Sequence, residues 1–501
     1  MRMKVLWLCN IILPAAAKQM GVEASSKEGW LSGLADVVLA NQKKNGIDLS
    51  VAFPMGNICV EEKHCENTPQ GEWPQGRSIH WKEDGRSTIE ERIIRGQAAL
   101  GEACFHYYGF PEDTRNPEKY DESLEPVLKK IVDMVRPDVV HCFGTEYPHT
   151  LAMCRILPEK DKLLVGLQGL CTLYAKAYFS DLPEKVIYSA TLRDYLRKDT
   201  LLQQQEKFRI RGNREREIIR LAGNVTGRTD WDRQSAENWN PNARYHKMNE
   251  TLRPEFYGPV WAEDQCIPHS IFLSQGDYPL KGLHYMLLAL PEILVRYPDA
   301  KVYVAGNSLV NYKTLKEKLK ISAYGKYLRE LLRAGVLEEK VIFLGKLDAV
   351  QMLDRYLKSS VFVCPSALEN SPNSLGEAML LGMPCVSASV GGITSIFTGG
   401  EDGVLYEGHI LSGDADEAEP EKCREGSVEK TEGRRKGSRG GGRRNGRLKE
   451  IAGNLTEAVL EIWGDSKKRK RYCENARRHA METHNREENY RRLVEIYEDI
   501  L

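Results

Sequence analysis

The sequence predicts an α/β fold built on two parallel sheets of similar size, and three observations lead there. Short apolar runs alternate with helical patterns over most of the chain, as βαβ units require. The runs fall into an earlier and a later group, separated by Asn249 to Pro268, which is proline-rich and carries no clear period. A length of 501 residues with 41% apolar content is enough for two or three ordinary cores.

The first candidate strand, "KVLWLC", lies in a stretch that imitates a signal peptide, with Arg2 and Lys4 ahead of an apolar run and three alanines. Asn10 and Pro14 interrupt that run, and helix–strand alternation follows directly, so a buried strand is the reading adopted. "DLSVAF", "DVVHCF", "LLVGLQ" and "GNVTG" complete the first group; "HSIFLS", "AKVYVAG", "KVIFLG", "SVFVCP" and "PCVSAS" form the second. After Lys281 the residues Leu283, Met286, Leu287, Leu290, Ile293 and Leu294 recur at three and four, the stripe of a helix that packs on a sheet. Residues 409–447 open acidic, end rich in arginine and glycine, and hold almost nothing apolar after Leu411, so they are expected to be a disordered, solvated insertion. In the last helix Tyr490, Leu493, Val494, Tyr497 and Leu501 share a stripe that must dock on something.

Lysine plus arginine (71) equals aspartate plus glutamate (71), so no global field argues for nucleic acid or an anionic membrane as the main partner. The twelve cysteines form no C-x-x-C pair and read as reduced thiols of a cytosolic protein. No run approaches the ~18–20 apolar residues of a membrane-spanning helix, so any membrane contact would be peripheral, at the inner face.

The chemistry concentrates in "SALENSPNSLGEAMLLGMPCV", Ser366 to Val386. A buried strand leads into a loop carrying Glu369, then into a helix whose first turns carry Glu377 and which Gly382 ends. A helix start offers unpaired N–H donors and partial positive charge, which suits a phosphate. Either glutamate alone reads as a helix-dipole partner; two bracketing one helix start suggest carboxylates for hydroxyl groups on both sides of a diphosphate.

Here the sequence resembles the family 4 retaining glycosyltransferases of the GT-B fold, whose hallmark is two glutamates with seven residues between them, followed by a small-residue helix and G-x-P-x-V. This chain reads Glu369, Glu377, then "AMLLGMPCVSASVGGI". "RPDVVHCFGTE", "NVTGRTDWDR", "PLKGLHYMLLALPEILVRYPDAKVYVAG", "KVIFLGKL" and "EDGVLYE" follow in family order along nearly the whole chain. The resemblance implies two facing Rossmann-like, doubly wound domains: an acceptor-binding domain at 1–250, joined by the returning helix 485–501, and a sugar-nucleotide domain at 265–484. It implies that Glu377 accepts ribose hydroxyls, Glu369 lies beside the transferred sugar, Lys281 neutralises the leaving diphosphate, and the amides of Asn373, Ser374 and Leu375 approach it. The family pairs that lysine with an arginine a few residues earlier, but Gln275 and Gly276 stand there, and Arg228 in "TGRTDWD" is the candidate replacement, against an exposed helix-capping role. Gly29, with Trp30, is placed on a loop where backbone nears the donor, against a simple turn glycine. His149, beyond a strand end, is a candidate acceptor or sugar contact, while His141 reads as a core histidine.

No metal site is expected, since Asp414 and Asp416 belong to the insertion, and no cofactor beyond the donor. The expected activity is hexosyl transfer from a nucleotide-diphosphate sugar to a glycan, lipid-linked or small-molecule acceptor, in glycan, polysaccharide or glycolipid biosynthesis. The alternatives are a sugar-nucleotide epimerase on the same fold, a noncatalytic sugar-nucleotide scaffold, and, third, RNA binding through the Arg-Gly tract.

Overall fold

The structure is a computed structural model that describes residues 2–23, 29–56, 89–310, 314, 319–411 and 439–501. Eight strands form the first sheet: β1 (Met3–Leu8), β2 (Ile47–Pro54), β3 (Ile94–Leu100), β4 (Ala103–Phe110), β5 (Val139–Phe143), β6 (Leu163–Gly166), β7 (Asn224–Gly227) and β8 (Arg244–Lys247), ordered β3-β4-β2-β1-β5-β6-β7-β8. Every pairing is parallel except β3 with β4. The signal-like segment is thus a central strand, with Val5 to Leu8 fully buried because helices cover both faces. The second sheet is parallel throughout, ordered β11-β10-β9-β12-β13-β14: β9 (Ile267–Leu273), β10 (Lys301–Ala305), β11 (Val341–Gly345), β12 (Ser359–Cys364), β13 (Cys385–Ser389) and β14 (Val404–Glu407).

All ten expected runs are strands. The expected stripe after Lys281 lies on the helix Leu283–Arg296, where Leu283, Met286, Leu287, Leu290 and Ile293 are buried. The chain returns at its end: in the helix Arg486–Ile500, the Tyr497 hydroxyl accepts from Trp7 Nε1 and meets His141 Nδ1, both at 2.8 Å. Its buried stripe is Tyr490, Leu493, Ile496, Tyr497 and Ile500; Leu501, expected on it, is exposed.

The charged insertion is shorter than the sequence suggests. Residues 412–438 lie outside the described residues, but a helix spans Arg439–Gly464. Leu448, Ile451, Leu455, Val459 and Ile462 bury one face of that helix, and the docking carries regular structure into the glycine-rich part. His409 also lies within the fold, paired with Asp181 at 2.7 Å.

Among the described residues no helix is long and apolar enough to cross a membrane. The nine described cysteines are unbridged. The two lobes touch through polar contacts: Thr229 Oγ1 donates to Asn370 Oδ1 at 2.6 Å, and Asn370 Nδ2 donates to Asp232 Oδ2 at 2.9 Å.

Candidate active site

The site is built on two strand-end loops of the second sheet. After β9 the chain makes a tight turn, Pro279–Lys281, closed by Gly282 at φ 70°. A Cβ on Gly282 would lie 1.8 Å from the Pro365 carbonyl oxygen, so only glycine lets this turn lie against the loop after β12. The Ala367 amide donates to Leu280 O at 2.8 Å and locks the two loops together. Lys281 Nζ consequently reaches Glu369 Oε1 at 2.6 Å, and Ser366 Oγ donates to the same oxygen at 2.7 Å. Gly392 N holds the Glu369 carbonyl from the other side at 3.0 Å. Burial opposes the Lys281 charge, but Glu369 and Tyr278 outweigh it and hold the ammonium above its ordinary pKa. Lys281 is a fixed cation.

The second carboxylate is fixed from outside its own lobe. Arg253, in the segment between the sheets, donates to Glu377 through Nε at 2.6 Å and Nη2 at 2.7 Å, a bidentate fork. Burial pushes the Glu377 carboxyl up, and Arg253 only partly offsets it. The Arg253 stem runs beside Gly29: a Cβ on Gly29 would meet its Cγ and Cδ at 2.5 Å. Glycine is needed there for the arginine's path, and Gly29 is the first residue of the helix Gly29–Ala40, not of a loop. The helix Asn373–Leu380 starts between the carboxylates with no side-chain cap.

Gly29, Lys281, Glu369, Asn373, Ser374 and Glu377 line one cleft of about 420 Å³, together with Trp30, Arg253 and Gln275. Three expected site residues stand apart from that lining. Leu375 is buried in the core, and its amide is spent on Pro372 O at 2.9 Å. Arg228 is neither exposed nor on the cleft wall: its Nη1 lies 2.7 Å from Glu250 Oε1 and 3.2 Å from Leu167 O. His149 is fully enclosed, with Nδ1 2.7 Å from Glu112 Oε2 and Nε2 3.0 Å from Asn10 Oδ1. Both Arg228 and His149 sit near strand ends, as a ligand contact would, but both are buried and held by first-lobe partners.

A larger open depression of about 680 Å³ lies over Asp230, Arg233, Tyr245 and Lys247. Its Asp230 and Arg233 are well exposed and 3.8 Å from each other, with no fixed, desolvated charge to act on a substrate. The cleft at Lys281 has that feature.

Residues 268–417 match the family described as Glycosyl transferases group 1. The N-acetyl-alpha-D-glucosaminyl L-malate synthase of Bacillus anthracis is 38% identical over 187 residues, 37% of this chain and 43% of that protein. In fold, a sucrose-phosphate synthase of Thermosynechococcus elongatus superposes with a TM-score of 0.59 at 14% identity, covering 99% of both chains. Anabaena HepE, solved in complex with UDP and glucose, gives a TM-score of 0.55 at 13% identity, again covering 99% of both. Residues 268–417 therefore carry a domain similar to the group 1 glycosyltransferases, and the chain as a whole has the GT-B fold of its solved neighbours. The matches to curated relatives span only 28% to 43% of those proteins' lengths.

Within this GT-B chain, sequence reasoning missed Arg253, Tyr278 and Tyr174. The Tyr278 ring lies 5.7 Å from Lys281 Nζ, and Tyr174 brings a first-lobe phenol into the field of Lys281 and Glu369. Burial pushes both phenols up, so they stand as neutral donors. Arg253 lies in the aperiodic stretch, 124 residues from its partner, and left no local signal. The absent arginine before Lys281 has a steric reason at one position: a Cβ on Gly276 would already press Leu283 and Val304 at 2.9 Å. Among the described residues no cluster of three or more His, Cys, Asp or Glu could hold a metal ion.

Proposed function

We propose that this chain is a retaining hexosyltransferase that moves a sugar from a nucleoside-diphosphate sugar to a hydroxyl acceptor in glycan, polysaccharide or glycolipid biosynthesis. One observation carries the reading: a fixed ammonium, two buried carboxylates and an uncapped helix start converge on one cleft. Breaking the bond between the anomeric carbon and the diphosphate develops negative charge on the departing phosphate. Lys281 and the amides of Asn373 and Ser374 are preorganised to stabilise that charge. The acceptor oxygen bonds to the anomeric carbon from the face the diphosphate leaves, and its proton passes to the leaving phosphate oxygen. Glu369 has Oε1 engaged by Lys281 and Ser366, which fixes it beside the sugar.

In this reading Arg253 is the second cation of the diphosphate site, in place of the arginine missing at Gln275 and of Arg228. Ribose hydroxyls at Glu377 compete with the guanidinium, which then turns to the diphosphate. The donor sits on the second lobe while Gly29 and Tyr174 belong to the first, so closure of the lobes completes the site.

The test is a panel of UDP-, GDP- and ADP-sugars assayed for transfer and hydrolysis, with the anomer of the product identified. Turnover that is lost in Lys281→Ala and in Glu369→Gln, with retained configuration, supports the proposal. Donor binding without turnover by the wild type would make the chain a sugar-nucleotide scaffold. An epimerised, unattached sugar would make it an epimerase.

A further inference from the structure

Single exposed apolar residues are ordinary on a protein surface, but clusters are not. Four large ones gather between β6 and β7 within nine residues: Tyr188 is 71% exposed, Leu192 57%, Tyr195 77% and Leu196 71%. Their placement is built in. The helix Leu192–Arg197 begins with a capping box, in which Thr191 Oγ1 accepts from Asp194 N at 3.2 Å and Asp194 Oδ2 accepts from Thr191 N at 3.1 Å. Asp194, fully buried, also accepts from the Ala323 amide of the second lobe at 2.8 Å, and Thr191 Oγ1 donates to Ile321 O at 2.7 Å. With this side fastened, Leu192, Tyr195 and Leu196, spaced by three and four, are turned to solvent.

The rim of the cluster is basic. Lys185, Arg197 and Lys198 are exposed, and among the described residues none has a carboxylate partner. The whole chain carries a formal net charge of zero, yet residues 184–211 hold seven lysines and arginines against four aspartates and glutamates. Apolar side chains with two tyrosines, bordered by unpaired cations, match the boundary between acyl chains and anionic headgroups.

The position fits the proposed chemistry. Beneath the helix, Arg193 and Asp194 share a cavity of about 210 Å³ with Asp277 and Tyr278. Tyr278 is the residue whose ring faces Lys281. We propose that the face carrying Tyr188, Leu192, Tyr195 and Leu196, rimmed by Arg197 and Lys198, docks on an anionic bilayer and so brings a lipid-borne acceptor to the cleft. The acceptor half rests on the transferase reading; the docking half does not.

Cosedimentation with vesicles of phosphatidylcholine alone, and of phosphatidylcholine with phosphatidylglycerol, tests it. The wild type is expected to pellet with the mixed vesicles and at least tenfold less with the neutral ones, and added salt should release it. Leu192→Glu/Tyr195→Glu/Leu196→Glu and Arg197→Glu/Lys198→Glu should each lower retention at least tenfold while hydrolysis of a soluble nucleotide sugar stays at the wild-type level. No pelleting of the wild type, or equal pelleting of the triple variant, overturns the proposal. So does a dimer in light scattering that the triple variant disperses, which would assign the face to a second copy. If the wild type pellets but hydrolyses no donor, docking stands and the transferase reading falls.

Discussion

In the second lobe the charges singled out by the sequence open on the cleft: Lys281 and Glu369 meet at 2.6 Å beside space for a ligand. In the first lobe, groups at comparable strand-end positions are sealed. His149 has both ring nitrogens matched, and Arg228 and Glu250 face each other at 2.7 Å with under a tenth of either side chain accessible. Both lobes are doubly wound sheets with polar residues at the carboxyl edge, where ligands bind in such folds. What separates the two cases is access: the first-lobe groups are enclosed by their own lobe, whereas the second-lobe pair borders space for a ligand. The first lobe uses its charges for architecture.

Variants can break that contrast. The largest effect on folding is expected in the first lobe: Arg228→Met leaves Glu250 buried without its cation, and losses from breaking buried pairs run to ~3–5 kcal/mol. Chemical denaturation measures this, and adding Glu250→Gln should recover part of it. In the second lobe, Lys281→Ala should cut donor turnover about 10²- to 10³-fold, the scale of one lost transition-state donor, with a smaller shift in midpoint than Arg228→Met gives. If Arg228→Met abolished turnover in a folded protein, or Lys281→Ala unfolded it, the division between the lobes would not hold.

Arg253 sharpens the comparison because it belongs to neither sheet. Arg253→Gln should raise the KM for donor about tenfold, near the low end for hydrogen bonds to charged groups, and lower kcat less. Gly29→Ala should act in the same direction, since its methyl would displace the Arg253 stem. Tighter donor binding by Arg253→Gln would show instead that the guanidinium only competes for Glu377.

The same division explains what could be read from the sequence. Lys281, Glu369 and Glu377 were legible because strand, turn and helix signals place them locally, so the order of residues determines their arrangement. The roles of Arg253 and Arg228 were not, because each is decided by a partner distant in the chain or held by another element. The β3–β4 hairpin escaped because Ile94–Leu100 reads as a weak, half-exposed alternation on a sheet edge. β8, four residues with a mostly polar pattern, gave no apolar run. Over residues 439–447 composition argued against order, but the helix Arg439–Gly464, docked on the second lobe through Ile451, Leu455 and Val459, extends back into them.

The smallest effect distinguishes the lobes by pH. In the first lobe, burial lowers the His141 pKa to about 3, so the imidazole, stacked on Phe143 and bonded to Tyr497, stays neutral in the folded chain. Its unfolded value is near 6.5. Between those values the unfolded chain binds a proton that the folded one does not, so stability is full above pH ~6.5 and falls on acidification, by about 1.4 kcal/mol per pH unit for one proton. His479 in the second lobe has the opposite sign. Its hydrogen bond to Asp402 at 2.7 Å raises its pKa against the opposing effect of burial. The stability it contributes is therefore present below pH ~6.5 and lost as pH rises through the folded value. Denaturation at pH 5, 6 and 7 should show a shallower acid loss in His141→Asn than in wild type, and a steeper one in His479→Asn. Parallel slopes in all three proteins would mean that neither histidine's environment differs from water, and would remove the sealed interior on which the contrast between the lobes depends.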